Sequence, residues 1–240
     1  MTPLETSTPF PAWFVTGTDT GVGKTFISAL LARCWLRHYS QVRYWKVFQT
    51  GLALEEGDTP TVQSLASLDS QQVVVPRWRH QAPLCPMAAE QRTPSGASDA
   101  QPPITQEALM MVNQEVRQLH RLAPVVVEGA GGLMVPLCSG ITMLDWMGRL
   151  RLPVLLVARA SLGTLNHTLL SLTALRQKGL EVAGVIMNGP GEERERQENR
   201  TLIEQFGSCR VLMDIPAYEA ITPKVVAQEA SRLHEVLFTS

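Results

Sequence analysis

The chain has 240 residues, of which 45% are hydrophobic and 18% are charged, and its formal net charge is −1. This composition is typical of a globular protein with a sizeable core, and it argues against a disordered chain. A charge this close to zero gives no indication of binding to nucleic acid or to an anionic membrane surface. Because no linker interrupts the chain, we expect one domain over residues 1–240.

Neither the start of the chain nor its cysteines indicate export. The first ten residues, MTPLETSTPF, contain an acid and two prolines and lack the apolar core of a secretory signal. No apolar run reaches the roughly 20 residues that span a bilayer. Cys34, Cys85, Cys138 and Cys209 lie far apart and form no CxxC pair, so we interpret them as reduced thiols. We therefore expect a cytoplasmic protein.

Apolar segments of strand length alternate with longer helical patterns. In chain order, the predicted strands cover residues 12–16, 42–47, 124–128, 153–158, 181–188 and 210–216. The predicted helices lie at residues 24–38, 59–68, 108–119, 165–175, 192–206 and 226–237. The proline-rich segment 71–103 shows little periodicity, so we expect it to be irregular. The alternation indicates the α/β class, with a mostly parallel sheet and helices on both faces in three α/β/α layers.

The stretch FVTGTDTGVGKT places a glycine-rich turn between the first strand and the first helix. Glycines let backbone N–H groups turn inward around phosphate oxygens, and the helix N-terminus adds donors and partial positive charge. We expect Lys24 to reach the β- and γ-phosphates of a nucleotide and Thr25 to bind Mg²⁺. Five residues, rather than the usual four, separate Gly17 from Gly23. The alternative is a plain turn with a surface lysine, but the flanking strand and helix favour a P-loop NTPase-like fold.

Two carboxylates are candidates for a metal site. In open parallel sheets, ligands bind beyond the carboxyl ends of the strands. Glu128 ends an apolar strand and enters the glycine-rich stretch EGAGGLMVP, where an unpaired buried carboxylate would be costly; the alternative to a metal ligand is a salt bridge at the strand end. Asp58 lies in the stretch EEGDTP, where the alternative role is that of a helix N-cap. Carboxylate oxygens are ligands that Mg²⁺ prefers.

Two further loops carry groups suited to an anion. Lys46 lies at the end of the second predicted strand, with Thr50 just beyond it, and would place a second positive charge near the nucleotide. The alternative is a lysine whose head extends into water. Gly163 and Thr164 begin a helix after a strand, which is typical of a site for a carboxylate or a phosphate.

Taken together, these motifs resemble those of the dethiobiotin synthetase family, the ATP-dependent ring-closing enzymes of biotin synthesis. The resemblance covers nearly the whole chain, through FVTGTDTGVGKT, YWKVFQTG, GDT, VVVEGAGGLMVPL, LGTLNHTLLSLTALRQKGLEVAGVIMNG and DIP. It implies a homodimer. It also implies the reaction, in which one amine of 7,8-diaminopelargonate captures CO₂, ATP phosphorylates the carbamate, and the second amine closes the ring with release of phosphate.

The resemblance also implies roles for individual residues. Lys24 and Lys46 would be the catalytic cations, and Thr25, Asp58 and Glu128 would bind Mg²⁺. The substrate would be bound by Thr50 and, across the dimer interface, by Gly163, Thr164, Leu165 and Asn166. The nucleotide would be bound by Gly21, Val22, Gly23, Lys24, Thr25, Phe26, Asp58, Glu128, Gly129, Ala130, Gly131, Asn188, Gly189, Pro216, Ala217 and Tyr218. Gly21 and Val47 depart from the family pattern, which has an acidic residue and a proline at these positions.

Two other functions stay open at this point. A cobyrinate-type amide synthetase resembles the family in its ATP loops, but we expect a glutaminase domain after such loops, and none precedes Ser240. A regulatory partitioning or division-site ATPase has a second lysine early in its loop, where this chain has Asp19. With the synthetase interpretation, the partners are diaminopelargonate, CO₂ or bicarbonate, and ATP, and we expect neither nucleic acid nor a membrane.

Overall fold

The computed structural model describes residues 10–93 and 101–238, so residues 94–100 of the proline-rich segment lie outside it. The strands are β1 (Ala12–Gly17), β2 (Arg43–Lys46), β3 (Phe48–Gln49), β4 (Val73–Val74), β5 (Trp78–Arg79), β6 (Val125–Gly132), β7 (Pro136–Cys138), β8 (Ile141–Thr142), β9 (Val154–Arg159), β10 (Val182–Asn188) and β11 (Val211–Ile215). The helices are α1 (Lys24–Trp35), α2 (Asp58–Ala66), α3 (Pro86–Gln91), α4 (Gln106–Leu122), α5 (Met143–Leu150), α6 (Thr164–Gln177), α7 (Glu193–Gly207) and α8 (Pro223–Phe238).

Seven of these strands form one parallel sheet in the order β11-β10-β9-β1-β6-β2-β4. Its inner strands consist largely of buried valine and leucine, as expected when helices cover both faces. Because the strands run the same way, their carboxyl ends meet at one edge, where the loops after β1, β2, β6, β9 and β10 come together. The predicted α/β class is confirmed.

Helices form a layer on each face of the sheet. On one face, α1 packs against α2 and α8 around a core that includes Ile27, Leu30 and Trp35. On the other face, α4 packs against α5 and α6 packs against α7, and the core there includes Phe14 and Trp146. The three predicted layers are therefore present. Within the described ranges, no helix is long and apolar enough to cross a membrane.

Most predicted elements are found, but several of their ends differ. α1 ends at Trp35 rather than at residue 38, because the N–H groups of Arg37 and His38 donate to carbonyl oxygens three residues back, those of Cys34 and Trp35, at 3.2 and 2.9 Å. α2 ends at Ala66 because the following residue, a serine, has a left-handed backbone with φ of 55°. β6 continues to Gly132, four residues past the predicted end, since Gly132 still pairs with Gly17 of β1 after a shift in register.

The segment 71–103 was predicted to be irregular, and this prediction is wrong for part of it. β4 forms one edge of the main sheet, and β5 pairs in parallel with β3. Trp78 of β5 is fully buried and stacks on Phe48, with ring centroids 4.9 Å apart. These short elements depend on contacts with distant residues and leave no local periodicity. The hairpin β7–β8 and helix α5 were also not predicted.

Candidate active site

The turn between β1 and α1 has a conformation that glycine adopts readily and other residues rarely do. Gly21 and Gly23 have φ angles of 75° and 96°. A Cβ atom on Gly23 would lie 2.2 Å from Nδ2 of Asn188, which donates a hydrogen bond to the Val22 carbonyl oxygen at 2.9 Å. Gly23 is the N-cap of α1 and provides no side chain to cap it, so the first N–H groups of the helix have no N-cap partner, as is typical of sites that bind an anion.

Lys24 is the first residue of α1, and its side chain is buried beside the loop. Its Nζ donates a hydrogen bond to the Asp19 carbonyl oxygen at 3.0 Å. Burial and the positive charge of Lys46 lower the pKa of Lys24 to about 8. Within the described residues, no carboxylate forms a direct ion pair with Lys24. An anion in front of the loop would therefore stabilise a charge that the protein alone compensates poorly.

Lys46 lies at the centre of a cluster of buried charges. Its Nζ is 2.7 Å from Oδ2 of Asp58 and 2.8 Å from Oε1 of Glu128, and it donates to the Gly129 carbonyl oxygen at 3.2 Å. β2 and β6 are neighbours with Lys46 opposite Glu128, so the sheet register sets this contact. Burial would lower the pKa of Lys46, but attraction by Glu128 and Asp58 outweighs it and raises the pKa. Lys46 is therefore a permanent cation at neutral pH.

Oxygen atoms from three elements converge beside Lys46. The Thr25 hydroxyl donates a hydrogen bond to Oδ1 of Asp58 at 2.6 Å and lies 3.4 Å from Oε1 of Glu128. Tyr44 donates to the other carboxylate oxygen of Glu128 at 2.8 Å. Among residues 10–93 and 101–238, no three His, Cys, Asp or Glu side chains form a metal site. Two carboxylates and a hydroxyl fit Mg²⁺ that binds together with nucleotide phosphates and water.

Asp58 does not cap α2, so the alternative role considered for it is wrong. The N-cap of this helix is Gly57, and Asp58 is its first residue. The backbone N–H of Asp58 donates to Oε1 of Gln49 at 2.9 Å, and its side chain contacts Thr25 and Lys46 instead. Burial would raise the pKa of Asp58, but the charge of Lys46 outweighs it and lowers the pKa.

These groups line one open cavity of about 640 Å³. The predicted site residues in its walls are Gly21, Gly23, Lys24, Thr25, Lys46, Thr50, Asp58, Glu128, Ala130 and Gly131. Its walls also contain residues that the sequence did not single out, among them Gln49, Glu55 and the segment 83–86. Gln49 lies three residues after Lys46 in the stretch WKVFQTG. Its position just beyond the end of the second predicted strand, where ligands bind, could have identified it from the sequence. The segment 83–86 reaches the cavity only through the tertiary fold.

The segments predicted to contact adenine lie beside the phosphate loop and do not line this cavity. Gly189 donates a backbone hydrogen bond to the Ile215 carbonyl oxygen at 3.1 Å, which brings the ends of β10 and β11 together. Pro216 and Ala217, which follow, are exposed. These segments and Asn188 therefore surround one side of the loop, and their assignment to the nucleotide stays a prediction.

Tyr218 connects this region to α1 and α8. Its ring lies edge-on to Phe26, with centroids 6.5 Å apart, and its hydroxyl donates to Oε1 of Glu229 at 2.6 Å. Gly129, also predicted to contact the nucleotide, faces the core instead: a Cβ atom there would lie 2.9 Å from the ring of Phe14. Its contribution to the site is the carbonyl oxygen that accepts from Lys46.

The predicted carboxylate site at the start of α6 is not in the cavity walls of the same chain. Gly163 is the N-cap, with φ of 90°, and no side chain caps the helix. Thr164 is buried, with its hydroxyl 3.2 Å from that of Thr168, whereas Leu165 is half-buried and Asn166 is exposed. A single chain thus does not bring residues 163–166 together with Thr50.

The sheet, the loop and the residues around it define the class of the P-loop nucleotide-binding proteins. Residues 12–225 match a family model described as an AAA domain. The chain is 41% identical over 219 residues to the ATP-dependent dethiobiotin synthetase BioD of Paramagnetospirillum magneticum, covering 89% of this chain and 92% of that protein. It is 40% identical over 208 residues to BioD of Nitrobacter hamburgensis, covering 87% of each. The chain belongs to the ATP-dependent dethiobiotin synthetase family.

One similar protein is much longer, and the solved structures extend the comparison to the fold. The chain is 45% identical over 213 residues to the biotin biosynthesis bifunctional protein BioCD of Bordetella avium, covering 89% of this chain but 41% of that protein. The MinD cell division protein of Aquifex aeolicus has a TM-score of 0.57 at 11% identity, covering 96% of this chain and 98% of that one. A ParA family ATPase of Chlorobium tepidum has a TM-score of 0.55 at 12% identity, covering 98% and 100%. At such identities the similarity shows the fold alone.

Proposed function

We propose that this chain is an ATP-dependent dethiobiotin synthetase, a ligase that forms C–N bonds in biotin biosynthesis. The observation that carries the proposal is the joint placement of Lys24, Lys46, Asp58 and Glu128 around one cavity beside a phosphate loop, in a chain of this family. The reaction converts 7,8-diaminopelargonate, CO₂ and ATP into dethiobiotin, ADP and phosphate.

The geometry of the loop supports ATP as the co-substrate. The first N–H groups of α1 and the glycine-rich turn provide donors for the phosphate oxygens, and the helix dipole favours negative charge there. Lys24 adds a cation whose charge the described carboxylates do not pair directly. The proposed adenine contacts, Asn188, Gly189 and residues 216–218, lie on the adjoining side of the loop.

Thr25, Asp58 and Glu128 are the residues that would hold Mg²⁺. Their hydroxyl and carboxylate oxygens already lie within hydrogen-bond distance of one another or of Lys46, in the walls of the cavity. When bound, the ion neutralises charge on the phosphates and orients them for phosphoryl transfer. Lys46 and Tyr44 fix the direction of the Glu128 carboxylate through hydrogen bonds to its two oxygens.

The proposed chemistry needs cations where negative charge develops. One amine of the substrate attacks CO₂ and loses a proton, which gives a carbamate. A carbamate oxygen attacks the γ-phosphorus of ATP and ADP leaves, which gives a carbamic–phosphoric anhydride. The second amine attacks the carbonyl carbon and loses a proton, and phosphate leaves as the ring closes. Lys24 and Lys46 stabilise the carbamate and the transferring phosphoryl group electrostatically.

The substrate site is proposed to be shared between two copies of the chain. Thr50 lines the cavity, whereas Gly163, Thr164, Leu165 and Asn166, the proposed carboxylate site, lie outside it. A homodimer would supply this second part from a partner. A groove of about 400 Å³ next to the phosphate loop contains Met134 and Leu170, which are 69% and 62% exposed and would be covered in such a dimer.

The remaining partners follow from the same assignment. Diaminopelargonate, CO₂ or bicarbonate, and ATP are the proposed small-molecule partners, and neither nucleic acid nor a membrane takes part. A cytoplasmic location is supported by the four cysteines, all of which are free.

The central test is the identification of the product. Purified protein is incubated with Mg·ATP, bicarbonate and 7,8-diaminopelargonate, and mass spectrometry should detect dethiobiotin. Phosphate release should require both the diamine and bicarbonate. Phosphate release that ignores the diamine, without dethiobiotin, would contradict the proposal and support a regulatory ATPase.

The metal assignment is tested by Glu128→Gln. The amide keeps the shape but loses the charge that a cation needs, so the Mg²⁺ concentration for half-maximal rate and for nucleotide binding should rise. Glu56→Gln, in the exposed loop before Asp58 and outside the cavity walls, is the matched control and should titrate like the parent. Equal Mg²⁺ titrations for all three proteins would remove Glu128 from the metal site.

The shared site is tested by sedimentation and kinetics. Leu170→Asp should weaken the dimer, because it places a carboxylate in the apolar groove. Asn166→Ala should raise KM for the diamine while leaving KM for ATP near that of the parent. A parent chain that sediments as a monomer while fully active would exclude the dimer.

A further inference from the structure

An ion pair connects the phosphate loop to the neighbouring strand β9. Nη2 of Arg159, the last residue of β9, lies 2.7 Å from Oδ2 of Asp19 in the loop. Both side chains are about half-exposed, at 37% and 50%. Neither residue belongs to the walls of the large cavity, and the proposed mechanism uses neither of them.

Asp19 is held at three points. Besides the ion pair with Arg159, its Oδ1 accepts a hydrogen bond from the Thr20 N–H at 2.7 Å, and its carbonyl oxygen accepts from Lys24 Nζ at 3.0 Å. The contact with Lys24 is direct, so a movement of Asp19 changes the position of the ammonium group proposed to meet the phosphates. Asp19 is therefore structurally coupled to the proposed phosphate site.

A carboxylate in this position opposes anion binding. Asp19 is the sole acidic residue of the loop between Gly17 and Lys24, and a triphosphate bound by the same loop would be repelled by its charge. Arg159 cancels that charge at contact distance. Its Nε is buried and has no hydrogen-bond partner among the described residues.

We propose that Arg159 is a positioning residue for the nucleotide that acts through Asp19: it cancels the negative charge that this carboxylate would otherwise place beside the bound phosphates. This inference rests on the nucleotide-binding part of the proposed function. It predicts that variants without Arg159 lose nucleotide affinity because the charge of the Asp19 carboxylate is left uncompensated. Removing that carboxylate as well should therefore restore the affinity.

The test is calorimetric binding of Mg·ADP to the whole chain, which needs no turnover. Arg159→Met should weaken binding about fivefold, the scale of a partly exposed ion pair. The double variant Asp19→Asn with Arg159→Met should bind more tightly than Arg159→Met alone. Asp19→Asn alone should bind at least as well as the parent, because it leaves a cation beside the phosphates. Arg194→Met, which breaks an exposed pair with Glu198 at 2.8 Å on α7, is the matched control and should bind like the parent.

Salt and a conservative variant separate this role from a purely structural one. The loss in Arg159→Met should shrink at high ionic strength, because screening weakens the uncompensated charge. Arg159→Lys should keep most of the affinity, because it keeps the positive charge, and Arg159→Gln, which removes that charge, replaces Arg159→Met if that variant does not fold. Binding by Arg159→Met within twofold of the parent, or a double variant as weak as Arg159→Met, would overturn the proposal. A parent that binds Mg·ADP but makes no dethiobiotin would instead contradict the proposed reaction and leave this inference standing.

Discussion

Lys24 and Lys46 line the same cavity and are almost equally buried, at 7% and 6% exposure, yet their surroundings differ. Lys46 contacts two carboxylates and a carbonyl oxygen, and its pKa is raised. Lys24 donates to one carbonyl oxygen, and burial together with Lys46 lowers its pKa to about 8. Lys46 is thus paired within the fold, whereas Lys24 forms no direct ion pair with a carboxylate of the described residues. The following predictions test that contrast.

The largest expected effect comes from the same substitution at both lysines. Lys46→Met leaves Glu128 buried beside an unpaired Asp58, so we expect the free energy of unfolding to fall by about 3 kcal/mol or more. Lys24→Met removes a charge that the fold itself disfavours, so its free energy of unfolding should stay close to that of the parent. Both variants should lose dethiobiotin synthesis. Urea unfolding without nucleotide, together with the product assay, checks this, and equal destabilisation of the two variants would refute the contrast.

Tyr44→Phe should give the next largest effect. The Tyr44 hydroxyl donates to Oε2 of Glu128, and both side chains are fully buried, so its removal leaves a charged acceptor unsatisfied. We expect a loss of about 1–3 kcal/mol in the free energy of unfolding. Tyr218→Phe is the control: it removes a hydrogen bond to Glu229, but Arg232 still contacts that carboxylate. The prediction fails if the two variants are destabilised equally.

The third prediction concerns pH. The pKa of Lys24 is about 8 in the folded chain, against a reference value of 10.5. Between these two pH values, Lys24 is protonated in a larger fraction of unfolded chains than of folded chains. Its titration therefore makes the free energy of unfolding increase as the pH rises. The stability of the parent relative to Lys24→Met should therefore increase between pH 8 and 10, measured in EDTA without nucleotide. Lys46 has a raised pKa and should add no such increase in this range, so a difference that stays flat would contradict the assignment for Lys24.

The smallest effect is expected at an exposed lysine. Lys178 lies 2.6 Å from Oδ1 of Asp145, as close as Lys46 lies to its own partners, but both side chains are more than one third exposed. Lys178→Met should change the free energy of unfolding by less than about 1 kcal/mol. The same substitution at Lys46 and Lys178 therefore measures how much burial, rather than distance, determines the cost of breaking an ion pair.

Local features of the site were predictable from the sequence, and long-range ones were not. Gly21, Gly23, Lys24 and Thr25 could be assigned because the loop is a continuous stretch between a strand and a helix. Glu128 could be assigned because a carboxylate at the end of an apolar strand needs a partner. The contacts of Asp58 with Lys46 and Thr25 could not be predicted in this way, because they form only in the tertiary structure.

The same limit applies to the fold. The main parallel strands carry continuous valine and leucine, so their pattern was sufficient to predict the α/β class. β4 and β5 have two residues each, which is too short to give a pattern, and β6 continues into a glycine-rich stretch; backbone pairing and the stacking of Trp78 on Phe48 stabilise these parts. Tyr44 was missed for a related reason: its partner, Glu128, lies 84 positions further along the chain.

The contact between Lys46 and Glu128 joins residues 82 positions apart. The cavity that they line therefore exists only once β1, β2 and β6 lie side by side, and a nucleotide bound there recognises the finished domain and not its unfolded chain. By mass action, ligand at 100 times its dissociation constant adds about 2.7 kcal/mol to the free energy of unfolding. Cellular nucleotide supply would then set the lifetime of the protein against proteases as well as the rate of its reaction.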